Sequence, residues 1–200
     1  MMWRAAGALL LGLALGGCMN ATLAPTPDGV LTSRDKKLLA NKPYPNVKPQ
    51  GQYARHIVDY TTNKKPGTVV VDTPNKFLYY VQGDGKAIRY GVAVGEEALA
   101  FHGNARVGRK AEWPGWTPTP EIHQRISGLP SYVEPGAHNP MGARALYLYQ
   151  GPKDTLYRIH GTNQPELIGQ AVSSGCIRML NEDVIDLYNR VPRGAEVIVL

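Results

Sequence analysis

The fold is decided by residues 67–94, which read GTVVVDTPNKFLYYVQGDGKAIRYGVAV. Two runs rich in β-branched and aromatic residues, 67–72 and 76–82, are separated by a Thr-Pro-Asn turn. A Gly-Asp-Gly hairpin turn at 83–85 then leads into a third run at 86–94. The pattern therefore predicts a three-stranded meander.

Further strands are predicted at 144–150, 155–160 and 195–200, where apolar and aromatic residues again dominate. A Gly-Pro-Lys-Asp turn joins the first two of them. The sequence has no regular alternation of strands and helices, which argues against a parallel α/β sheet. The chain is thus expected to be mostly β.

Two short helices are predicted. Pro165–Ala171 has Pro at its start, and Asn181 is suited to capping a second helix that runs to about Val191. Apolar residues on one face of that second helix are predicted to be core; they are Val184, Leu187, Tyr188 and Val191.

A long region rich in Pro and Gly separates the hairpin from the strand at 144–150. Segments of this length in a compact domain are usually functional or mobile, so we expect it to wall or cover a cleft. Trp113 and Trp116 lie within it, and they fit either local packing or the lining of a binding groove.

Length and composition limit the classes of protein to which the chain can belong. The chain has 200 residues and a mass of 21.8 kDa, which fits one catalytic domain with a short appendage. Hydrophobic residues make up 43% of it, enough for a core. A net charge of +6 favours an anionic partner without specifying the fold.

The first 17 residues are predicted to be a secretory signal. The apolar run Ala5–Leu15 is too short to span a membrane. The end of the run, Leu-Gly-Gly before Cys18, resembles the lipobox of bacterial lipoproteins, which implies cleavage before Cys18 and a lipid anchor. Met19 stands where an Asp would indicate inner-membrane retention, so the resemblance implies a periplasm-facing protein of the outer membrane. The alternative is an ordinary secretory signal with an incidental cysteine.

Export argues against nucleic acid as the anionic partner and leaves wall carboxylates and lipid phosphates. Residues 18–54 are broken by prolines and are predicted to form a tether that carries the lipidated Cys18. Residues 55–66 are predicted to be an N-terminal arm, and residues 67–200 the catalytic domain.

Candidate chemistry centres on His160, at a predicted strand end, and Cys176, 16 positions later. A thiol and an imidazole are sufficient for acyl transfer, because the imidazole accepts the thiol proton and returns it to the leaving amine. Nearby cationic groups lower the pKa of a thiol, so we expect a thiolate that is alkylated readily near neutral pH. The plainer alternative is a small buried cysteine.

The residues before the cysteine are small. Gly175 is able to adopt a positive φ and lets a substrate approach the backbone. The backbone amides of Ser174, Gly175 and Cys176 are therefore candidates for an oxyanion site, with Ser173 beside them.

Arg178 lies two residues beyond Cys176, so both are predicted to face one side while Ile177 and Met179 enter the core. Its guanidinium is suited to orienting a substrate carboxylate. The alternative is an ordinary structural ion pair.

Taken together, the His-Gly-Thr-Asn sequence at 160–163 and the Ser-x-Gly-Cys-x-Arg sequence at 173–178 resemble the L,D-transpeptidase catalytic domain, the YkuD-like family. The resemblance covers about residues 67–200. It implies a β-sandwich or barrel of mixed short strands, with two short helices near the active site. It also places Cys176 as nucleophile, His160 as base and the Gly161 carbonyl as the group that orients the base.

The family resemblance implies a two-step exchange on peptidoglycan stem peptides. Cys176 would attack the carbonyl of the third stem residue, a diamino acid, releasing D-Ala and leaving a thioester. An amine of another stem would then give a 3→3 cross-link, or a lysine of an outer-membrane protein would be attached to the wall. No metal or organic cofactor is implied.

Two departures from the family pattern, Met141 and Ala137-His138, lie in a predicted cleft-edge loop and put acceptor preference in doubt. His102, His123 and His138 have no zinc-site spacing, so no metal site is predicted. Two alternatives remain open: a hydrolase with the same thioester, acting as an L,D-carboxypeptidase or a protein–peptidoglycan amidase, and a non-catalytic wall-binding lipoprotein.

Overall fold

The computed structural model describes residues 21–22, 30–47, 49–96, 101–173 and 175–200. The predicted signal, Cys18 and Ser174 lie outside these ranges. Within them, no helix has the length and apolar character needed to cross a membrane.

Eleven strands and three α-helices make up the described chain. The strands are β1 (Ala21–Thr22), β2 (His56–Asp59), β3 (Val69–Asp72), β4 (Phe77–Val81), β5 (Lys86–Gly95), β6 (Gly103–Glu112), β7 (Arg144–Gln150), β8 (Lys153–His160), β9 (Ala171–Ser173), β10 (Ile177–Met179) and β11 (Glu196–Val199). The helices are α1 (Ser33–Ala40), α2 (Pro120–Arg125) and α3 (Asn181–Arg190).

The long strand β5 closes the sheet into a barrel. It pairs along one edge with β4 and along the other with β2 and then β10. The order β5-β10-β8-β7-β6-β11-β3-β4 then returns to β5, so eight strands form a ring. The pairs β10–β8, β11–β3 and β5–β9 are parallel, and the other pairs are antiparallel. The predicted mostly-β barrel of mixed short strands is confirmed, including the meander β3-β4-β5.

One core fills the barrel, as expected for a ring of eight strands, which is only wide enough for side chains. Each strand of the ring contributes a buried apolar residue: Val71, Leu78, Tyr90, Val107, Leu146, Ile159, Met179 and Val197. The apolar face of α3 joins this core, with Val184 and Leu187 at 0% exposure. The predicted core stripe of that helix is therefore confirmed.

The N-terminal segment differs from the expected tether, because residues 30–47 contain a helix that docks on the barrel. Thr32 caps α1 in a capping box with Asp35. Asp35, at 0% exposure, then accepts hydrogen bonds from both terminal nitrogens of Arg144, at 2.9 and 2.8 Å, and from Trp113 Nε1 at 2.7 Å. The buried ion pair therefore anchors the segment together with Leu31, Leu38 and Leu39, which pack against the core.

The electrostatics of Asp35 follow from these bonds. Burial by itself would raise the pKa of this carboxyl, but the hydrogen bonds from Arg144, Thr32 and Trp113 outweigh it and lower the pKa to about 2. Asp35 is therefore charged throughout the ordinary pH range.

The predicted arm also forms a strand. Residues 56–59 make β2 and pair with the first half of β5. Arg55, just before it, lies 3.2 Å from an Asp186 carboxylate oxygen and 3.8 Å from one of Asp183, both on α3. The arm therefore joins the barrel to the helix that covers it.

Two helix predictions need correction. In place of a helix at Pro165–Ala171, the chain makes one 3-10 turn, Pro165–Leu167, and then enters β9, because Gly169 and Gln170 form backbone hydrogen bonds with β5. Asn181 does not cap α3. Leu180 holds the N-cap position, and the Asn181 side chain accepts a hydrogen bond from the Ala143 amide instead. The helices number three in the described chain, not two.

We expect Asp35→Ala to lower the free energy of unfolding by about 3–5 kcal/mol, because it leaves the buried Arg144 guanidinium without its carboxylate. Urea unfolding followed by tryptophan fluorescence measures this. Because the pKa of Asp35 is lowered to about 2, its contribution is complete above about pH 4 and is lost as the pH falls towards 2.

The matched control is Asp59→Ala, which removes the exposed ion-pair partner of Lys86. It should change stability by less than about 1 kcal/mol. Equal losses for the two variants would contradict the role assigned to Asp35.

Candidate active site

His160 ends β8 and is 5% exposed. Its Nδ1 lies 2.7 Å from the carbonyl oxygen of Gly161, the contact that the sequence analysis expected. Burial, followed by the nearby Arg178 guanidinium, lowers the pKa of His160 to about 3, against hydrogen bonds to the Gly161 and Met141 backbone that would raise it. The imidazole is therefore neutral at ordinary pH.

Gly161 is held in place by Asn181. The Asn181 amide oxygen accepts from the Ala143 amide at 2.8 Å and from the Thr162 amide at 3.3 Å. The amide nitrogen donates to the Thr162 carbonyl at 2.8 Å and to the Tyr44 hydroxyl at 2.6 Å. A Cβ at position 161 would collide with Asn181 and lie 2.8 Å from Ala143 N, so glycine is required there.

Cys176 directly precedes β10, where the backbone turns sharply. Gly175 has a φ of +112°, the positive value predicted for it. A Cβ at Gly95 would lie 2.5 Å from the Gly175 Cα, so β5 approaches the backbone before Cys176 this closely because position 95 has no side chain. The role of Gly95 in shaping this turn was not predicted from the sequence.

Strand register places Cys176 and His160 on one face of the sheet. Across the parallel pair β10–β8, Ile177 lies opposite Ile159 and Arg178 opposite His160. Cys176 precedes β10 by one residue, and continuing the same register sets it beside Arg158 and diagonal to His160. Diagonal neighbours on a sheet face lie about 7–8 Å apart, with their Cβ atoms somewhat closer. A thiol and an imidazole at that spacing are within reach of each other.

The electrostatics agree with this placement, because the positive charges of Arg158 and Arg178 lower the pKa values of both Cys176 and His160. Burial raises the pKa of the Cys176 thiol above its usual value, and the Arg158 backbone and the two guanidiniums offset this only in part. The thiol is thus protonated at neutral pH. This direction is opposite to the one expected from the sequence, and the rate at which Cys176 is alkylated distinguishes the two.

Arg178 is half-buried on the face of Cys176, whereas Ile177 and Met179 are in the core, as predicted. Its Nη1 donates to Gln164 Oε1 at 3.2 Å. Among the described residues it makes no ion pair, so the structure does not support the structural-pair alternative. Its role towards a substrate carboxylate stays a prediction, as does the oxyanion role of the amides at 173–176.

Cys176 opens onto a groove of about 720 Å³. The Pro- and Gly-rich region that was expected to line a cleft contributes Trp116, Thr119, Ile122 and Met141 to its lining. Trp113 does not line the groove; it is 1% exposed and bonded to Asp35. Of the two predicted tryptophan roles, Trp113 therefore packs locally and Trp116 lines the groove.

Several groove residues were missed by the sequence analysis: Arg109, Arg125, Tyr147, Leu156, Tyr157 and Arg158. The outward positions of predicted strands were a usable signal for Tyr147 and Arg158, but without strand register nothing connects them to Cys176. Within the described ranges no group of three His, Cys, Asp or Glu side chains is placed to hold a metal ion, and His102, His123 and His138 are exposed.

Comparison with known proteins identifies the family of this chain. The model of the L,D-transpeptidase catalytic domain, YkuD, matches residues 66–199. Probable L,D-transpeptidase ErfK/SrfK of Escherichia coli K12 is 37% identical over 139 residues, which make up 66% of this chain and 43% of that protein. This chain thus matches less than half the length of that curated relative.

Two solved structures are similar as well. One, described as a probable carnitine operon oxidoreductase from Brucella melitensis, is 47% identical with a TM-score of 0.51, covering 76% of this chain and 96% of that one. The catalytic domain of the E. faecium L,D-transpeptidase is 18% identical with a TM-score of 0.52, covering 70% of this chain and 100% of that one. At that identity the second likeness concerns the fold alone.

Proposed function

Because this chain belongs to the L,D-transpeptidase catalytic-domain family, we propose that it is a transpeptidase of peptidoglycan stem peptides, with Cys176 as nucleophile and His160 as general base. The observation that supports the proposal is the strand register: Arg178 lies opposite His160, so Cys176, two residues earlier and in the groove lining, is expected on the sheet face of His160. The Gly161 carbonyl orients the imidazole through Nδ1.

The reaction starts from a neutral pair. Since the pKa of Cys176 is raised and the pKa of His160 is lowered to about 3, a standing thiolate–imidazolium pair is unfavourable. The thiol proton therefore moves to Nε2 of His160 as sulfur attacks the carbonyl of the diamino acid. With Nδ1–H donated to Gly161, Nε2 is the nitrogen left to accept it.

The attack produces a tetrahedral oxyanion, which the backbone amides of residues 174–176 would stabilise. The C–N bond to D-Ala then breaks, and the His160 imidazolium returns its proton to the departing amine. A thioester remains on Cys176. An acceptor amine attacks it, loses a proton to His160 and regenerates the thiol.

The test is to incubate the full chain in detergent with a disaccharide tetrapeptide and to follow products by mass spectrometry. A cross-linked dimer with loss of D-Ala supports transfer. The chain should not be shortened to the barrel, because Asp35 and Tyr44 both bond to it.

Two other outcomes would overturn transpeptidation. A tripeptide formed without any dimer would identify a hydrolase that passes the same thioester to water. Unchanged substrate, together with retained binding to wall material, would identify a non-catalytic wall-binding protein.

We also propose that the protein is exported, that Cys18 is acylated, and that the lipid holds the domain at the periplasmic face of the outer membrane. The support is the sequence from Leu15 to Met19 and the wall substrate proposed above. Fractionation of cells that express the full chain or Cys18→Ser tests this. Equal membrane recovery of the two proteins would contradict acylation at Cys18.

A further inference from the structure

Four residues on neighbouring strands form a row across the groove side of the barrel. Arg109 on β6 lies opposite Tyr147 on β7, and Tyr147 lies opposite Arg158 on β8. Register across β8–β10 puts Cys176 beside Arg158. The row therefore begins at the nucleophile and ends at Arg109.

Two of the three strand junctions in the row have irregular pairing. The β6–β7 register shifts between Val107 and Arg109, and the β7–β8 register shifts between Tyr147 and Tyr149. Such bulges change the direction of side chains and occur next to active sites. The two bulges lie next to Arg109 and Tyr147, whose side chains line the groove.

The side chains of the row are held by contacts with one another. The Arg109 and Arg158 guanidinium carbons lie 3.9 and 4.4 Å from the centroid of the Tyr147 ring. Arg158 is also bound by both oxygens of Asp154, at 2.6 and 2.9 Å. Stacking and ion pairing fix these groups before any ligand arrives, which lowers the entropic cost of binding.

The two arginines differ in charge balance. Asp154 forms a close ion pair with Arg158, whereas its attraction to Arg109 acts over a longer distance, and no described carboxylate lies within 4 Å of Arg109. Among the residues that line the groove, Arg109, Arg125 and Arg158 face a single acid, Glu121. Arg109 is thus an exposed, positioned cation in a groove with excess positive charge. A carboxylate is the peptide group that a guanidinium fork fits.

The distance between the Arg109 guanidinium and Cys176 determines which part of the substrate Arg109 can contact. The Arg109 guanidinium lies over Tyr147, two strand spacings or about 10 Å from Cys176. Consecutive Cα atoms are about 3.8 Å apart, so the backbone of the residue that precedes the diamino acid covers part of that distance and a carboxylate-bearing side chain on it covers the rest. On the proposed function, the leaving side of the scissile bond is a single D-Ala and is too short to reach. The stem residues on the acyl side, before the diamino acid, are long enough to reach Arg109.

We propose that Arg109, stacked on Tyr147 beside the Arg158–Asp154 pair, binds a free carboxylate of the acyl-donor stem, on the residue that precedes the diamino acid. This rests on the proposed function. The enzyme would then select donors by the charge of that residue, at a position remote from the bond that is broken.

The test uses two synthetic donors that differ only at that residue, one with a free carboxylate and one with a primary amide. Wild-type kcat/KM should be about 10- to 100-fold higher for the carboxylate donor, the usual range for a hydrogen bond between charged groups. Arg109→Gln should reduce this preference to within about threefold, mainly by raising KM for the carboxylate donor. The control, Arg106→Gln, removes an exposed arginine of the same strand that binds the Gly194 carbonyl, and should keep the preference.

A binding measurement separates this inference from the proposed function. Calorimetry with the Cys176→Ala protein, with and without Arg109→Gln, gives the affinity for each donor in the absence of turnover. Preferential carboxylate binding that depends on Arg109 supports the site, even if wild type proves inactive and the transpeptidase proposal fails. Equal affinity for the two donors, or a preference that survives Arg109→Gln, overturns it.

Discussion

Cys176→Ala is expected to abolish release of D-Ala, reducing turnover of a tetrapeptide donor at least about 10⁴-fold. No other described group in the groove combines a nucleophilic sulfur with a neighbouring base, so the loss should not be compensated. Mass spectrometry should detect a covalent acyl adduct on the wild-type protein and none on the variant.

The variant should fold normally, since Cys176 is only partly buried and alanine is smaller. Its thermal transition and its affinity for the donor are therefore the controls, and both should remain close to wild type. Residual turnover above about 1% with a normal transition would place the nucleophile elsewhere.

His160→Gln is expected to reduce kcat about 10²- to 10⁴-fold at pH 7, since glutamine keeps a donor for the Gly161 carbonyl but cannot accept a proton. The pH dependence is the more specific result. Wild type needs a neutral imidazole, and because the pKa of His160 is lowered to about 3, its rate should be nearly flat from about pH 5 to 8. The variant depends on spontaneous ionisation of a thiol with a raised pKa, so its rate should increase about tenfold per pH unit.

The measurement is D-Ala release across this pH range, with His102→Ala, an exposed histidine, as the control that retains the wild-type profile. If the wild-type rate also increased about tenfold per pH unit, in parallel with that of His160→Gln, His160 would not be the base. The same raised pKa means that iodoacetamide should label Cys176 near pH 7 no faster than an ordinary cysteine, contrary to the thiolate expected from the sequence.

Several features were predictable because they depend on a few neighbouring residues. The alternation and turn residues of 67–94 specify the meander, and the spacing of Val184 and Leu187 specifies the buried face of α3. The positive φ of Gly175 also follows locally, from the small residues before a candidate nucleophile.

The docked N-terminal segment illustrates what was not predictable. Thr32 and Asp35 have capping-box spacing, a signal for α1 that was overlooked among the prolines. The partner of Asp35, however, is Arg144, 109 positions away, and no local pattern pairs them. Strand β6 was missed for a related reason: its sequence is polar, and pairing with β7 and β11 on its two edges makes it a strand.

The amino-acid sequence alone determined the mostly-β class, the candidate pair Cys176 and His160, and the glycines around them, because propensity, turn chemistry and short motifs act over a few residues. The barrel closure through β5, the row from Cys176 to Arg109, and the directions in which burial shifts the pKa values of the thiol and the imidazole depend on the assembled fold. These depend on register and on withdrawal from water. Both arise when distant segments meet, so they are properties of the assembled fold.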